Sequence, residues 1–226
     1  MQVDVIIPAF NEQNSIGSVI RDIPKDLVRD IIVVDNNSND ETSINARNAG
    51  ATVFQENRQG YGFACLKGIE FATKKDIKPD VIVFLDADYS DFPDEISLLL
   101  NKIWKGADMV IGNRVKSKRE KGSMMPQQIF GNWIACNLMK IMYGYRYRDL
   151  GPFRAIKFDK LQEIEMKDQT YGWTVDMQVK ALKQKFNIAQ VDLSYRKRIG
   201  VSKVSGTIKG SIMAGYKIIT TIFKYK

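Results

Sequence analysis

Short apolar segments alternate with amphipathic segments along the first half of the chain. The apolar segments cover residues 3–8, 30–35, 51–55 and 80–86. Continuous apolar runs of this length are typical of strands that are buried on both faces of a parallel sheet. The segments with helical spacing cover residues 12–23, 41–49, 61–75 and 94–104. This alternation predicts βαβ units and an α/β fold, with a mostly parallel central sheet flanked by helices.

The apolar pattern also predicts strands and helices in the second half of the chain. Its apolar pattern predicts three further strands at 107–114, 151–158 and 187–195. It also predicts two helices at 127–143 and 174–185. The basic stretch 115–126 shows no period, which indicates a loop.

The chain is long enough to bury one substantial core, so we expect one main domain. That domain is predicted to cover residues 1–205, with one half over about 1–114 and the other over about 115–205. Residues 206–226 mix lysines with large apolar side chains. They predict an amphipathic helix that faces a membrane or a second copy of the chain.

The charged composition narrows the chemistry. The chain has a net charge of +8 and no histidine. The missing histidine excludes a Ser-His-Asp triad and disfavours zinc, so a general base would be a carboxylate or, less often, Lys, Tyr or Cys. The positive charge suits a phosphate, a nucleic acid or an anionic membrane surface. Nucleic acid is disfavoured because no recognised binding signature is present and acidic strand ends would repel its backbone.

The cysteine pattern and the N-terminus bear on location. Cys65 and Cys136 fit no metal or redox spacing, and we expect both to be reduced thiols in a cytoplasmic protein. The first twelve residues lack the basic leader and long apolar core of a signal peptide. The sequence contains no run of about 18 apolar residues, so no transmembrane helix is predicted.

Polar residues follow the predicted strands of the first half. Glu12 follows the first strand, Asp35 ends the second, and Asp86 and Asp88 follow the fourth. Ligands of open parallel sheets bind at the carboxyl ends of the strands, so these side chains are candidates for one site. Two neighbouring carboxylates repel, and a divalent cation would relieve that repulsion. The alternative is two solvated loop acids.

A second group of acids follows in the same stretch. Asp91, Asp94 and Glu95 surround Pro93. An aspartate cap, a proline in the first turn and acids near the positive end of the helix dipole together predict a helix start.

Several motifs together resemble a known family. They are VIIPAFNEQNSI, IIVVDNNSNDET, RQGYGFACLKGIEFA, VIVFLDADYSD, DLGPFRAI and RKRIGVSKVSGT. In this order they resemble an inverting family 2 glycosyltransferase of GT-A fold. They are most similar to the branch of dolichyl- or polyprenyl-phosphate mannosyl- and glucosyltransferases. The resemblance extends over about residues 3–215.

The resemblance implies a nucleotide-sugar site in the first half of the chain. Asp86 and Asp88 match the pair that binds Mg²⁺ or Mn²⁺, and Asp88 is also implied in catalysis. Asn36-Asn37-Ser38 stands where the family commonly has Asp-Gly-Ser, so this stretch is either a base contact or only a turn. The implied donor-binding residues are Pro8, Ala9, Glu12, Asp35, Asn37, Gly60, Asp86, Ala87, Asp88 and Arg114.

The resemblance implies acceptor contacts in the second half. Asp176 resembles the acid under the acceptor, and it would serve as the general base or orient the sugar hydroxyls. Asp149 is a further candidate for acceptor or sugar contact. The residues implied to bind acceptor or phosphate are Asp149, Arg196, Arg198, Ser202 and Lys203. For the cationic residues the alternative is a solvated basic surface.

The resemblance implies transfer of a hexose from a UDP- or GDP-linked sugar to a polyprenyl-phosphate-type lipid. A soluble acceptor or a catalytically degenerate nucleotide-sugar-binding protein are the alternatives. A nucleotidyltransferase is disfavoured because PAFNEQNS has neither the Gly nor the Arg that its phosphate loop needs. Helices 127–143 and 206–226 and the basic stretch 115–121 predict a peripheral patch on the cytoplasmic face of a membrane or, alternatively, a contact within a homo-oligomer.

Overall fold

One seven-stranded sheet organises the part of the chain that the structure describes. The structure, a computed structural model, describes residues 1–202 and 208–225. The strand order is β3-β2-β1-β4-β6-β5-β7, and among these described strands only β6 runs antiparallel to its neighbours. The strands are β1 (Val3–Ala9), β2 (Asp30–Asp35), β3 (Thr52–Gln55), β4 (Val81–Phe84), β5 (Met109–Arg119), β6 (Arg154–Lys157) and β7 (Ile188–Tyr195). The predicted α/β class and mostly parallel sheet are confirmed.

Helices connect the strands and cover both faces of the sheet. A single 3₁₀ turn, Pro93–Glu95, precedes α4. The helices are α1 (Ile16–Asp22), α2 (Thr42–Asn48), α3 (Tyr61–Lys74), α4 (Ile96–Trp104), α5 (Pro126–Tyr143), α6 (Phe158–Glu163), α7 (Trp173–Lys183) and α8 (Ile208–Lys224). None of the helices in the described ranges is both long and apolar enough to cross a bilayer.

The alternation of side chains along β1 divides the core into two layers. Val3, Val5 and Ile7 face one layer, which α1 and α4 cover. Ile6 faces the other, which α3, α5, α6 and α7 cover. All seven residues of β1 are buried. A strand covered on both faces favours apolar residues on both, which explains why the sequence shows runs instead of alternation. The one acid in β1, Asp4, is buried in ion pairs with Arg29 and Lys75.

The basic stretch 115–126 was expected to be a loop, and the structure corrects this for residues 115–119 while residues 120–125 do form a turn and loop. Strand β5 continues to Arg119, whose backbone lies opposite Tyr195 of β7 after an irregularity in the register. The Glu120 amide also donates to the Tyr195 carbonyl at 2.8 Å. The side chains of Lys116 and Lys118 are exposed. The extension lies beyond the end of β6 with polar side chains, so its sequence lacks the apolar signal of a buried strand.

Candidate active site

A cavity of about 520 Å³ opens where β1, β2 and β4 end. The end of β1, the residue after β2 and the turn after β4 form its floor, while α3, the segment before α7 and the segment after β7 form its walls. The lining residues are Pro8, Ala9, Phe10, Glu12, Asn36, Gln59, Gly60, Tyr61, Ala64, Asp86, Ala87, Asp88, Thr170, Tyr171, Arg198 and Ser202. Parallel strands therefore deliver the predicted polar residues to one edge of the sheet.

Asp86 and Asp88 lie together at the floor of this cavity. Burial, and then the negative charge of Asp88, raise the pKa of Asp86 to about 7. The Tyr61 hydroxyl donates to Asp86 Oδ1 at 3.1 Å, and the Ser90 amide donates to Asp88 Oδ1 at 2.9 Å. Two neighbouring carboxylates that repel each other, one half-buried and one buried, have the chemistry of a site for a divalent cation.

The donor set suits Mg²⁺ or Mn²⁺. Both ions prefer carboxylate oxygens and are usually held by one or two side chains, with phosphate and water completing the shell. Within the described residues, no group of three or more His, Cys, Asp or Glu side chains could hold a metal ion. A site with two protein carboxylates therefore leaves the remaining positions to a phosphate-bearing ligand and water.

Arg198 brings a positive charge to the same place. Its guanidinium lies 2.7 Å from Glu12 Oε1 and 3.1 Å from Asp88 Oδ2. The Ile199 amide donates to the Asp88 carbonyl at 3.0 Å, which fixes the segment after β7 over the acids. Arginine forks match phosphate oxygens, so the cavity combines a metal-binding pair with a phosphate-binding side chain.

Asp91 was expected to cap a helix, and the structure corrects this. The 3₁₀ turn begins after Phe92, and Asp91 is buried with no hydrogen-bond partner for Oδ2. Burial, and then the charges of Asp86 and Asp88, raise the pKa of Asp91 well above its ordinary value. Burial and the neighbouring carboxylates thus both disfavour the charged form of Asp91. A local capping pattern could not reveal this, because the backbone of Asp91 bridges to Tyr195, far away in sequence.

Arg114 and Asp149 were predicted as separate ligand contacts, yet they bind each other. Nε of Arg114 lies 2.8 Å from Asp149 Oδ2, and Nη2 lies 2.8 Å from Oδ1. The Asp149 side chain is buried, and that of Arg114 is 13% exposed. The guanidinium lowers the pKa of Asp149 against the effect of burial. This pair does not line the cavity, and it is satisfied without a ligand.

Arg196 fixes a turn and does not reach the cavity. Its guanidinium stacks on the rings of Tyr89 and Phe92, at 3.4 Å and 4.1 Å from the centroids. Its Nε donates to the Tyr89 carbonyl at 2.7 Å. This position does not support the predicted phosphate contact. Lys203, predicted beside it, lies outside the described residues.

Asp35 and Asn36, at the turn after β2, have different roles that the sequence did not predict. Asp35 is buried, and its carboxylate accepts hydrogen bonds from the Ser38 amide, the Ser43 hydroxyl and Gln55. Asn37 is exposed and has a positive φ of 67°. Neither lines the cavity, whereas Asn36 does, and its Oδ1 accepts the Gly60 amide at 2.7 Å. The turn is thus stabilised by Asp35 and presents Asn36.

Asp176 was predicted as the general base or as a residue that orients the sugar hydroxyls or the acceptor, and it is not among the residues that line the cavity. It is buried in the first turn of α7, where its Oδ1 accepts the Tyr225 hydroxyl at 2.6 Å. Its Oδ2 lies 3.3 Å from the ammonium of Lys180. These partners hold the carboxylate against the end of α8. This position does not support the predicted role.

One wall of the cavity comes from residues that the sequence did not indicate. Thr170 and Tyr171 precede α7 and face the glycines at the start of α3. The Phe63 amide donates to the Gln169 carbonyl at 3.1 Å. A Cβ at Gly60 would lie 2.4 Å from that same carbonyl oxygen. The Gly-Tyr-Gly motif was the available signal, since its glycines allow this close approach.

Comparisons with known proteins agree with this geometry. The model of the family described as "Glycosyl transferase family 2" matches residues 4–170. An uncharacterized glycosyltransferase of Mycobacterium tuberculosis is 32% identical over 221 residues, covering 94% of each chain. A dolichyl-phosphate hexose transferase of Haloferax volcanii is 30% identical over 203 residues, covering 88% of this chain and 85% of the relative.

The fold also matches a solved structure. Glucosyl-3-phosphoglycerate synthase from Mycobacterium tuberculosis, crystallised with Mn²⁺, UDP-glucose and phosphoglyceric acid, gives a TM-score of 0.79 at 22% identity. The match covers 99% of this chain and 79% of that chain. At this identity the likeness shows the fold, and it confirms the predicted GT-A architecture.

Proposed function

The chain belongs to glycosyl transferase family 2, and on that premise we propose that it moves a hexose from a UDP- or GDP-linked sugar to a polyprenyl phosphate, with inversion at the anomeric carbon. One observation carries the proposal: the carboxylates of Asp86 and Asp88 share the floor of the cavity with the Arg198 guanidinium. The pair suits a divalent ion and the guanidinium suits a diphosphate. The solved structure of like fold contains Mn²⁺ and UDP-glucose, which supports this use of the cavity.

The side chains of the cavity have distinct tasks in this reaction. A bound divalent ion would neutralise the charge that develops on the diphosphate leaving group. Asp86 and Asp88 would hold that ion, and Tyr61 and Ser90 orient the two carboxylates. Arg198 would place a forked cation on the phosphate oxygens. The positive charges thus gather where the sugar–oxygen bond breaks.

The carboxylates of the cavity favour an acceptor that is already anionic. The described lining residues include three carboxylates: Glu12, Asp86 and Asp88. Glu12 is paired with Arg198, and the other two are the metal pair. An alcohol acceptor would need a general base within reach of its proton, whereas a phosphate monoester attacks without one. A phosphate acceptor therefore fits a cavity from which Asp176 is excluded.

The test is a panel of UDP- and GDP-hexoses with Mn²⁺ or Mg²⁺, assayed for transfer to a short polyprenyl phosphate and to 3-phosphoglycerate. We expect metal-dependent transfer to the polyprenyl phosphate, with the anomeric configuration inverted by NMR. Transfer to 3-phosphoglycerate alone would establish the soluble-acceptor alternative. Absence of transfer from every donor to either acceptor would contradict the proposal.

A surface formed by α5 and α8 supports a lipid acceptor. These two helices pack together through contacts such as the Tyr143 hydroxyl, which donates to the Ile222 carbonyl at 2.6 Å. Neither helix contains an acidic residue. In the segment that precedes α5, Lys116 and Lys118 on the β5 extension and Lys121 in the following turn are exposed. The large apolar side chains exposed on the two helices are Ile129, Phe130, Trp133, Ile141, Ile212, Met213, Tyr216, Ile219 and Phe223. Apolar and aromatic side chains beside lysines fit an anionic bilayer surface.

We expect this α5–α8 surface to bind vesicles of phosphatidylcholine and phosphatidylglycerol. The double change Phe130→Ser and Trp133→Ser should weaken co-sedimentation by about tenfold or more, because both rings are exposed and would lose apolar burial in the bilayer. Trp104→Ser is the matched control, since Trp104 is 51% exposed on α4, at the opposite face of the sheet.

Two outcomes would decide against the membrane. Unchanged sedimentation of the double variant would remove this surface from the contact. A dimer by light scattering that the double variant dissociates, without vesicle binding by the native chain, would instead make the surface an interface within a homo-oligomer. Location at the cytoplasmic face of the membrane is part of the same proposal.

A further inference from the structure

Residues 168–171, which we call the wall segment, touch both the cavity and α8. Thr170 and Tyr171 line the cavity. Asp168, at the start of the segment, has a side chain only 6% exposed. Its Oδ1 accepts the amide of Thr170 at 2.9 Å. The conformation of the cavity wall therefore depends on where the Asp168 carboxylate is held.

Helix α8 holds that carboxylate from the other side. The Lys217 ammonium lies 3.0 Å from Asp168 Oδ2. Beside it the backbone of Gly172 approaches so closely that a Cβ there would lie 2.6 Å from Asp168 Oδ2 and 2.9 Å from Thr221 Oγ1. Thr221, also on α8, is buried. The carboxylate is thus enclosed between the wall segment and α8.

The wall segment transmits this placement to the start of α3. The Gln169 carbonyl accepts the Phe63 amide at 3.1 Å, and the Gly60 amide donates to Asn36 at 2.7 Å on the cavity floor. Tight backbone packing leaves these elements little independent freedom. A shift of Asp168 would therefore displace Thr170 and Tyr171 together with Gly60 and Gly62 at the start of α3.

We propose that Asp168 is a positioning residue for the donor cavity, held in place by Lys217 of α8. The ion pair fixes the wall segment, and the wall segment fixes the shape of the cavity that receives the nucleotide. The same helix contributes to the exposed α5–α8 surface. Binding of that surface to a bilayer and the shape of the cavity are therefore linked through the ion pair between Lys217 and Asp168. The binding part of this inference rests on the proposed use of the cavity by a nucleoside diphosphate.

The test compares Lys217→Met with Lys183→Met in the full chain. Lys217→Met removes the ion pair and keeps the apolar stem. Lys183→Met removes another attachment of α8, the 2.6 Å bond from Lys183 to the Tyr225 carbonyl, which does not involve the wall segment. We expect Lys217→Met alone to speed hydrogen exchange at the amides of Thr170 and Phe63. Lys217→Arg should restore the native exchange rates.

Binding of UDP and GDP with Mn²⁺, measured by calorimetry, gives the second readout. Lys217→Met should weaken nucleotide binding about fivefold and raise the donor KM by a similar factor, with kcat within about twofold, as expected for a partly exposed ion pair. Lys183→Met should leave both unchanged.

The outcomes separate this inference from the proposed function. Native exchange rates in Lys217→Met, or equal changes in both variants, would overturn the positioning role. If the native chain bound neither nucleotide, the proposed function would fail, while the exchange data would still decide the role of Lys217 and Asp168.

Discussion

Replacing Asp88 with asparagine is expected to lower turnover about a thousandfold while the protein stays folded. The substitution keeps the shape of the side chain and removes one of the two carboxylates on the cavity floor. Stabilisation of the leaving group by a bound metal ion is worth several kcal/mol, and about 4 kcal/mol corresponds to a thousandfold in rate. Transfer assays at saturating donor, with and without Mn²⁺, measure the loss directly.

The control for this change is Asp94→Asn. Asp94 belongs to the same acidic stretch but lies exposed on the 3₁₀ turn after the site. We expect native turnover and native Mn²⁺ affinity in that variant. The melting temperature of Asp88→Asn should be checked as well, because Asp88 also pairs with Arg198. Near-native rates in folded Asp88→Asn would remove the metal pair from the mechanism.

Gly62→Ala is expected to distort the cavity, because the structure leaves no room for the added methyl group. A Cβ at Gly62 would lie 2.2 Å from the Asp168 carbonyl oxygen and 2.6 Å from the Gln169 carbonyl carbon. Both are backbone atoms, so the wall segment as a whole must move. We expect a loss of about 1–3 kcal/mol in the free energy of unfolding, as for other overpacked sites. Donor affinity should fall at least about tenfold, since Thr170 and Tyr171 move with the segment.

Gly131→Ala provides the matched control. Gly131 lies in α5, and an added Cβ would meet no atom within 4 Å. Alanine is a better helix former than glycine, so this variant should be equally or slightly more stable by up to about 1 kcal/mol. Its nucleotide affinity should not change. Native donor affinity in Gly62→Ala, measured by calorimetry on folded protein, would show that the wall segment does not shape the cavity.

The floor of the cavity could be predicted because its residues follow a local rule. Glu12, Asp86 and Asp88 come directly after buried parallel strands, and the ends of such strands meet at one edge of the sheet. The hydrophobic pattern alone locates those strands. Predicting these residues does not require knowing which distant segments pair. The structure brings them together as expected.

The partners of the charged residues could not be predicted in the same way. Arg114 and Asp149 are 35 residues apart in sequence. Each is a charged residue that was predicted to contact a ligand, because the sequence does not show that the two bind each other. Arg196 and Asp176 are similar cases, because aromatic rings and Tyr225 reach them from distant segments. A buried charge must be paired, and which partner it takes depends on packing that a single sequence does not display.

The wall segment shows a different limit. Thr170 and Tyr171 belong to no charged or repeated pattern, and their place in the cavity follows from backbone contacts with the start of α3. The glycines there indicate that something approaches closely but do not identify it.

The reversed direction of β6 has a consequence for how the reaction edge is built. A strand that runs against its neighbours contributes its entry loop, not its exit loop, to the edge where β1, β2 and β4 end. Arg154 opens β6 at that edge, and it is buried there with hydrogen bonds to the carbonyls of Leu150, Gly151 and Thr174. The connection from α5 to β6 can therefore vary in length or chemistry before this anchor, while β1, β2 and β4 keep the turns that follow them. The entry loop of β6 and those three turns can thus change independently on one scaffold.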